Sequence, residues 1–100
     1  MIIRMFDTAM SPEDIERGKE LFRTQVQPAF AEFDGCLGIE MYLGLEEHSR
    51  GLVDVAAISR WESKDHIEKA LVSDDYREAL AELKTLFQQN PIVRHFETID

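Results

Sequence analysis

Cysteine is nearly absent from this sequence: Cys36 stands alone among 100 residues, so no internal disulfide can form. With no base or cation beside it, Cys36 reads as a small buried hydrophobe rather than a reactive thiol. Long apolar runs are missing as well, since nothing approaches the roughly 18 residues that a bilayer-crossing helix needs. The first ten residues, MIIRMFDTAM, carry Arg4 and Asp7 and show no small-residue cleavage pattern, so the expected compartment is the reducing cytoplasm. Positive charge is scarce: 11 basic side chains against 20 acidic ones give a formal net charge of -9. Such a chain repels a polyphosphate backbone, and nucleic acid is not an expected partner. Glycine-rich phosphate loops and the G-x-S-x-G elbow are also lacking, which leaves nucleotide and serine-hydrolase chemistry without a motif. The three histidines, His48, His66 and His95, fall in different elements with no second ligand at helical spacing, so no metal site is expected.

What is present is the patterning of one α+β domain over residues 1–100. A first strand is read over residues 2–8, where Ile3 and Met5 alternate against Arg4. Ser11-Pro12-Glu13-Asp14 then supplies a capping serine, a proline at the first helical position and acids in the first turn. Ile15, Gly18, Phe22, Val26, Ala29 and Phe33 recur at steps of three and four, and Pro28 within them predicts a break near Thr24 to Val26. Residues 36–45 and 53–61 read as two strands around the polar connection 46–51. Ser63 and Ser73 each cap a segment of a second helical region, Asn90-Pro91 ends it, and residues 92–99 form a last strand. The order β-α-β-β-α-β predicts a ferredoxin-like plait with both helical regions on one face of a four-stranded antiparallel sheet. Its strands carry apolar residues on both parities, so the uncovered face is expected to pair with a second copy of the chain.

Three stretches carry a family resemblance: Asp34-Gly35-Cys36-Leu37-Gly38, Arg60-Trp61-Glu62-Ser63 and Leu71-Val72-Ser73-Asp74-Asp75-Tyr76. Through them nearly the whole chain resembles the antibiotic-biosynthesis monooxygenase-like family of small dimeric α+β barrels. The resemblance implies a homodimer, and it implies oxygenase chemistry only where the residues of a branch are matched. Those of the haem-degrading branch are not: Ala70 and Leu80 occupy its tryptophan and histidine positions on helix two, and strand one holds no asparagine. The polar amide that the anthrone-oxidising branch carries on strand three is replaced here by the run Val55-Ala56-Ala57-Ile58.

Two functions follow as expectations. The first is a cofactor-independent monooxygenase acting on a small aromatic or quinol-like substrate, whose anion reacts with dioxygen directly, so that the protein need supply a dry pocket and one proton acceptor. Trp61, Tyr76 and Phe22 are the expected walls, and His95 or His66 the expected catalytic base. The second is a dimer of the same fold that binds a small ligand without chemistry. An open cavity with an inward histidine favours the first; a solid core favours a purely structural role.

Overall fold

The computed structural model describes residues 1–48 and 50–99, so that Ser49, within the polar connection, and Asp100 lie outside the described residues. Strand β1 spans Ile2–Met10, a 3-10 turn follows at Pro12–Asp14, and helix α1 occupies Ile15–Leu21. A π-helical turn at Phe22–Val26 leads into α2, Gln27–Ala31. Then come β2 (Cys36–Leu43), β3 (Val53–Trp61), α3 (Lys64–Leu71), α4 (Asp74–Lys84) and β4 (Ile92–Glu97). All three strand pairings are antiparallel and the sheet order is β2-β3-β1-β4, which makes the fold the ferredoxin-like plait that the element order predicts.

Local chemistry accounts for the helix boundaries. Ser63 Oγ accepts from the His66 backbone N–H at 3.3 Å, and Ser73 Oγ accepts from that of Tyr76 at 3.2 Å. Each such cap contributes about 1 kcal/mol. Ser11 differs from expectation, because its side chain makes no cap bond; its carbonyl instead accepts from the Asp14 N–H at 3.0 Å, closing the 3-10 turn. The break near Pro28 takes the form of the π turn. Pro28 has no N–H to offer the Thr24 carbonyl, and a regular helix would drive its ring against that carbonyl. The chain widens ahead of it, and the Gln27 N–H bonds five residues back to Phe22. One consequence is a shifted apolar stripe: Phe22, Val26 and Phe30 are buried, while Ala29 and Phe33, both expected on the stripe, are only partly so.

The register shows which sheet face meets the helices. Arg4 pairs with Ser59 and His95, and Phe6 with Ala57 and Val93, so these side chains share a face with Thr8, Met10, Val55 and Trp61. That is the covered face. Ile3 and Met5, which alternate against Arg4 in the sequence, point to the uncovered one, with Ile58 and Phe96 as their neighbours. Gly18 brings α1 down onto the end of β1: a Cβ there would sit 3.0 Å from Met10 Sδ. Gly35 ends the first helical region at φ +77°, and its Cα faces the His66 ring so closely that a Cβ would overlap the imidazole.

The core is built around Trp61, which is fully buried. Phe33 stacks on it with centroids 6.4 Å apart, Phe30 meets it edge-on at 6.2 Å, and Tyr76 contacts both phenylalanines at 5.4 and 6.0 Å.

Candidate functional site

Between the helices and the covered sheet face lies a cavity of about 40 Å³. Arg4, Phe6 and Thr8 from β1, Ala57 and Ser59 from β3 and Met41 from β2 form its floor. Phe22 and Val26 from the π turn, Phe30 from α2 and Tyr76, Leu80 and Leu83 from α4 form its roof, and Phe87 lies at its margin. The volume is enough for a few water molecules and well below the roughly 150 Å³ of an apolar cavity that takes up benzene. A ring therefore enters only if wall side chains move. Met10 and Met41 are unbranched, and such side chains repack at small cost.

The polar groups of this cavity have defined partners. Thr8, fully buried, donates to the Gln89 carbonyl at 2.8 Å, which satisfies its hydroxyl. Ser59 Oγ accepts from Trp61 Nε1–H at 2.8 Å, so the Ser59 hydroxyl proton remains available to donate elsewhere. Arg4 Nη1 lies 2.8 Å from His95 Nε2. A guanidinium can only donate, so Nε2 is the acceptor and the imidazole is neutral with its proton on Nδ1. Burial first, and then the positive charges of Arg4 and Lys64, hold the His95 pKa below its usual range.

Of the five side chains singled out in the sequence, Phe22 and Tyr76 border the cavity. Trp61 does not: it lies beneath Phe30 and Phe33 and reaches the cavity only through its bond to Ser59. Neither histidine lies on the wall. His95 is exposed on the edge strand β4, in a separate groove with Lys64, Ile67, Leu71 and Glu97. It had been expected in a sheet covered on both faces, but in the single chain nothing covers β4.

His66 sits at the start of α3, where its Nδ1 is 2.7 Å from Ser63 Oγ and its Nε2 is 3.8 Å from Asp34 Oδ2. The residue types imitate a serine-histidine-aspartate relay. However, Ser63 Oγ is committed as the helix cap, and the imidazole is pressed against Gly35. This cluster fastens the turn before β2 to α3. Arg4 and Ser59 are the site residues that sequence reasoning missed. The available signal was parity, because Arg4 is in step with Phe6, Thr8 and Met10. Among the described residues, no group of three or more His, Cys, Asp or Glu side chains is arranged to hold a metal ion, and no helix is long and apolar enough to cross a membrane.

A four-stranded antiparallel plait with an aromatic-roofed, largely apolar cavity between helices and sheet places the chain in the class of ferredoxin-like α+β proteins. Within that class the sequence matches the family model for antibiotic biosynthesis monooxygenases over residues 1–82, and the chain belongs to that family. No curated protein matches it. Among solved structures, the chain is similar to SnoaB, a cofactor-independent oxygenase from Streptomyces nogalater, at 15% identity and a TM-score of 0.71, covering 99% of this chain and 94% of that one. Rv0793 from Mycobacterium tuberculosis aligns at 17% identity and a TM-score of 0.71, covering 99% and 95%. A Deinococcus radiodurans protein whose suggested name is antibiotic biosynthesis monooxygenase aligns at 18% identity and a TM-score of 0.78, covering 100% and 94%. Identities this low establish the shared fold alone.

The Arg4–His95 pair makes a pH-dependent prediction. The neutral imidazole is the acceptor, so the bond holds above the His95 pKa and is lost as pH falls through it. In an NMR titration His95 should change state below pH 6.5, the ordinary value. In Arg4→Met the midpoint should rise, though not fully, because burial is the larger cause. A wild-type midpoint at or above the ordinary value, or one indifferent to Arg4→Met, would contradict the geometry.

Proposed function

We propose that this chain is a cofactor-independent monooxygenase acting on a small aromatic or quinol-like substrate held between Phe22, Phe30 and Tyr76 above and Ala57 and Ser59 below. Family membership supports the reaction class, and the aromatic-roofed cavity is the single observation that carries the substrate class. In the proposed reaction the ring anion transfers electrons to dioxygen and a carbon–oxygen bond forms. One oxygen stays as a carbonyl on the carbon, and the other leaves as water with two hydrogens of the substrate, both from that carbon in an anthrone, one from the carbon and one from a ring hydroxyl in a quinol. No histidine stands on the cavity wall, so a phenolic substrate has to give its proton to water, helped by whatever in the cavity stabilises the anion.

The absence of a histidine from that wall also favours a second reading, a small-ligand-binding protein without chemistry. Oxygen uptake separates the two. With a panel of quinols and anthrones, the monooxygenase should consume one dioxygen per substrate oxidised. Ala57→Phe, which fills the floor, should lower the rate by about tenfold or more while the circular dichroism stays unchanged. No uptake with any member of the panel would leave the binding reading standing.

We also propose a homodimer joined through the uncovered sheet face. Tyr42, Ile92 and Phe96 are 43%, 54% and 47% exposed on it, with Ile3, Met5 and Ile58 between them. An apolar face of that kind on so short a chain is better buried than wet. Light scattering at micromolar concentration should give twice the chain mass, and Ile58→Glu should shift it toward monomer. A monomeric wild type would overturn the dimer.

A further inference from the structure

Arg4 is the charged group of the cavity floor, and no carboxylate among the described residues neutralises it. Arg17, Arg60 and Arg77 each sit against a carboxylate: Arg17 against Glu20 and Glu82, Arg60 against Glu40, Arg77 against Asp74. Arg4, half-buried and facing an otherwise largely apolar cavity, forms no such pair among the described residues. Its described side-chain partner is the neutral imidazole of His95, which takes one of its five N–H donors. Glu97 shares the covered face one register step further along, beside Ile2, and lines the outer groove instead.

An unpaired guanidinium in apolar surroundings is costly unless something completes it. In a chain of net charge -9 carboxylates are plentiful, and none among the described residues lines the cavity. Directly across the strand pair from Arg4 is Ser59, whose hydroxyl oxygen is occupied by the Trp61 indole N–H and whose proton is therefore free to donate. Cross-strand neighbours on one face stand about 5 Å apart at Cβ, close enough for both side chains to reach one oxygen atom. His95, accepting on the far side, limits the directions the guanidinium can take.

We propose that Arg4, with Ser59 beside it, is an anion-binding subsite that selects a planar aromatic ligand carrying an oxyanion. This rests on the reading of the cavity as the aromatic site, and it narrows the substrate class to rings that are negatively charged when bound. The charge can come from a carboxylate on the ring or from an ionised phenol, and the same two donors serve either. In the oxygenase reading the subsite also does chemical work. A phenol whose oxygen faces a guanidinium in low dielectric loses its proton more readily, because the phenolate formed is stabilised, and this supplies the ionisation that the missing histidine does not.

The test compares rings that differ in charge and little in shape. Calorimetric titration of the wild-type protein with benzoate against benzamide, and with 4-nitrophenolate against nitrobenzene, should show the anion bound about tenfold or more tightly in at least one pair, as a charge-assisted bond implies. Preference in the benzoate pair identifies a carboxylate ligand, and preference in the nitrophenolate pair identifies a phenolate. The absorbance of bound 4-nitrophenol should show a larger ionised fraction than free dye at the same pH. In Arg4→Met the preference should vanish while the neutral rings keep their affinity, and Arg4→Lys should restore part of it. Equal binding of anion and neutral ring to the wild type, which needs no variant to be folded, would overturn the subsite alone, as would a preference that survives Arg4→Met. Failure of every ring to bind would overturn the aromatic cavity and the subsite together.

Discussion

A buried indole must place its N–H somewhere, and in this protein that requirement organises both core and site. Trp61 closes β3 with no exposed surface, and its Nε1–H finds Ser59 two residues earlier on the same sheet face. Leaving that donor unpaired would cost about 1–3 kcal/mol. The bond does more than satisfy it, because it holds the Ser59 hydroxyl on the cavity floor. Phe30 and Phe33 then cover the indole, from the stretch that follows the π turn ahead of Pro28. The same turn points Phe22 and Val26 into the cavity. Removing the Trp61 ring would withdraw the packing that seats α2 and would free Ser59 at once.

Much of the fold was legible before any coordinates, for reasons local to the chain. Ser63 and Ser73 could cap helices because each precedes an amphipathic stretch, and Pro28 had to disturb the first helical region because it lacks a donor. Period-2 alternation located the strands. What alternation could not settle was which parity faced inward on β1, where Ile3 and Met5 are as apolar as Phe6 and Met10. Only the packing of Met10 beneath Gly18 decides it, and that contact joins two elements. Arg4 was passed over for this reason, since a lone arginine among hydrophobes in a short strand reads as the solvent side.

The site was less legible than the fold. Phe22 and Tyr76 follow from helical spacing, and both reach the cavity. The histidines stood out through chemistry alone, and chemistry does not place a side chain. His66 is absorbed by a helix cap and a tight turn, while His95 lies on an edge strand and meets the cavity only through the arginine between them. The family relationship explains the plait and says less about the floor of the cavity, where Ala57 stands in the stretch that the anthrone-oxidising branch gives an amide. Recognition here rests on a charge and a hydroxyl supplied by adjacent strands.

For the proposed site to work, the space between helices and sheet, only about 40 Å³ at rest, must admit an aromatic ring. Methyl NMR during titration with benzoate tests it most directly. The methyl signals of Met10, Met41, Ala57 and Leu80 should shift together and saturably, while those of Ile67 and Leu71 on α3 and of Ile3 and Ile58 on the outer sheet face stay in place. Shifts confined to the outer face or to the α3 groove, with the cavity methyls silent, would contradict it.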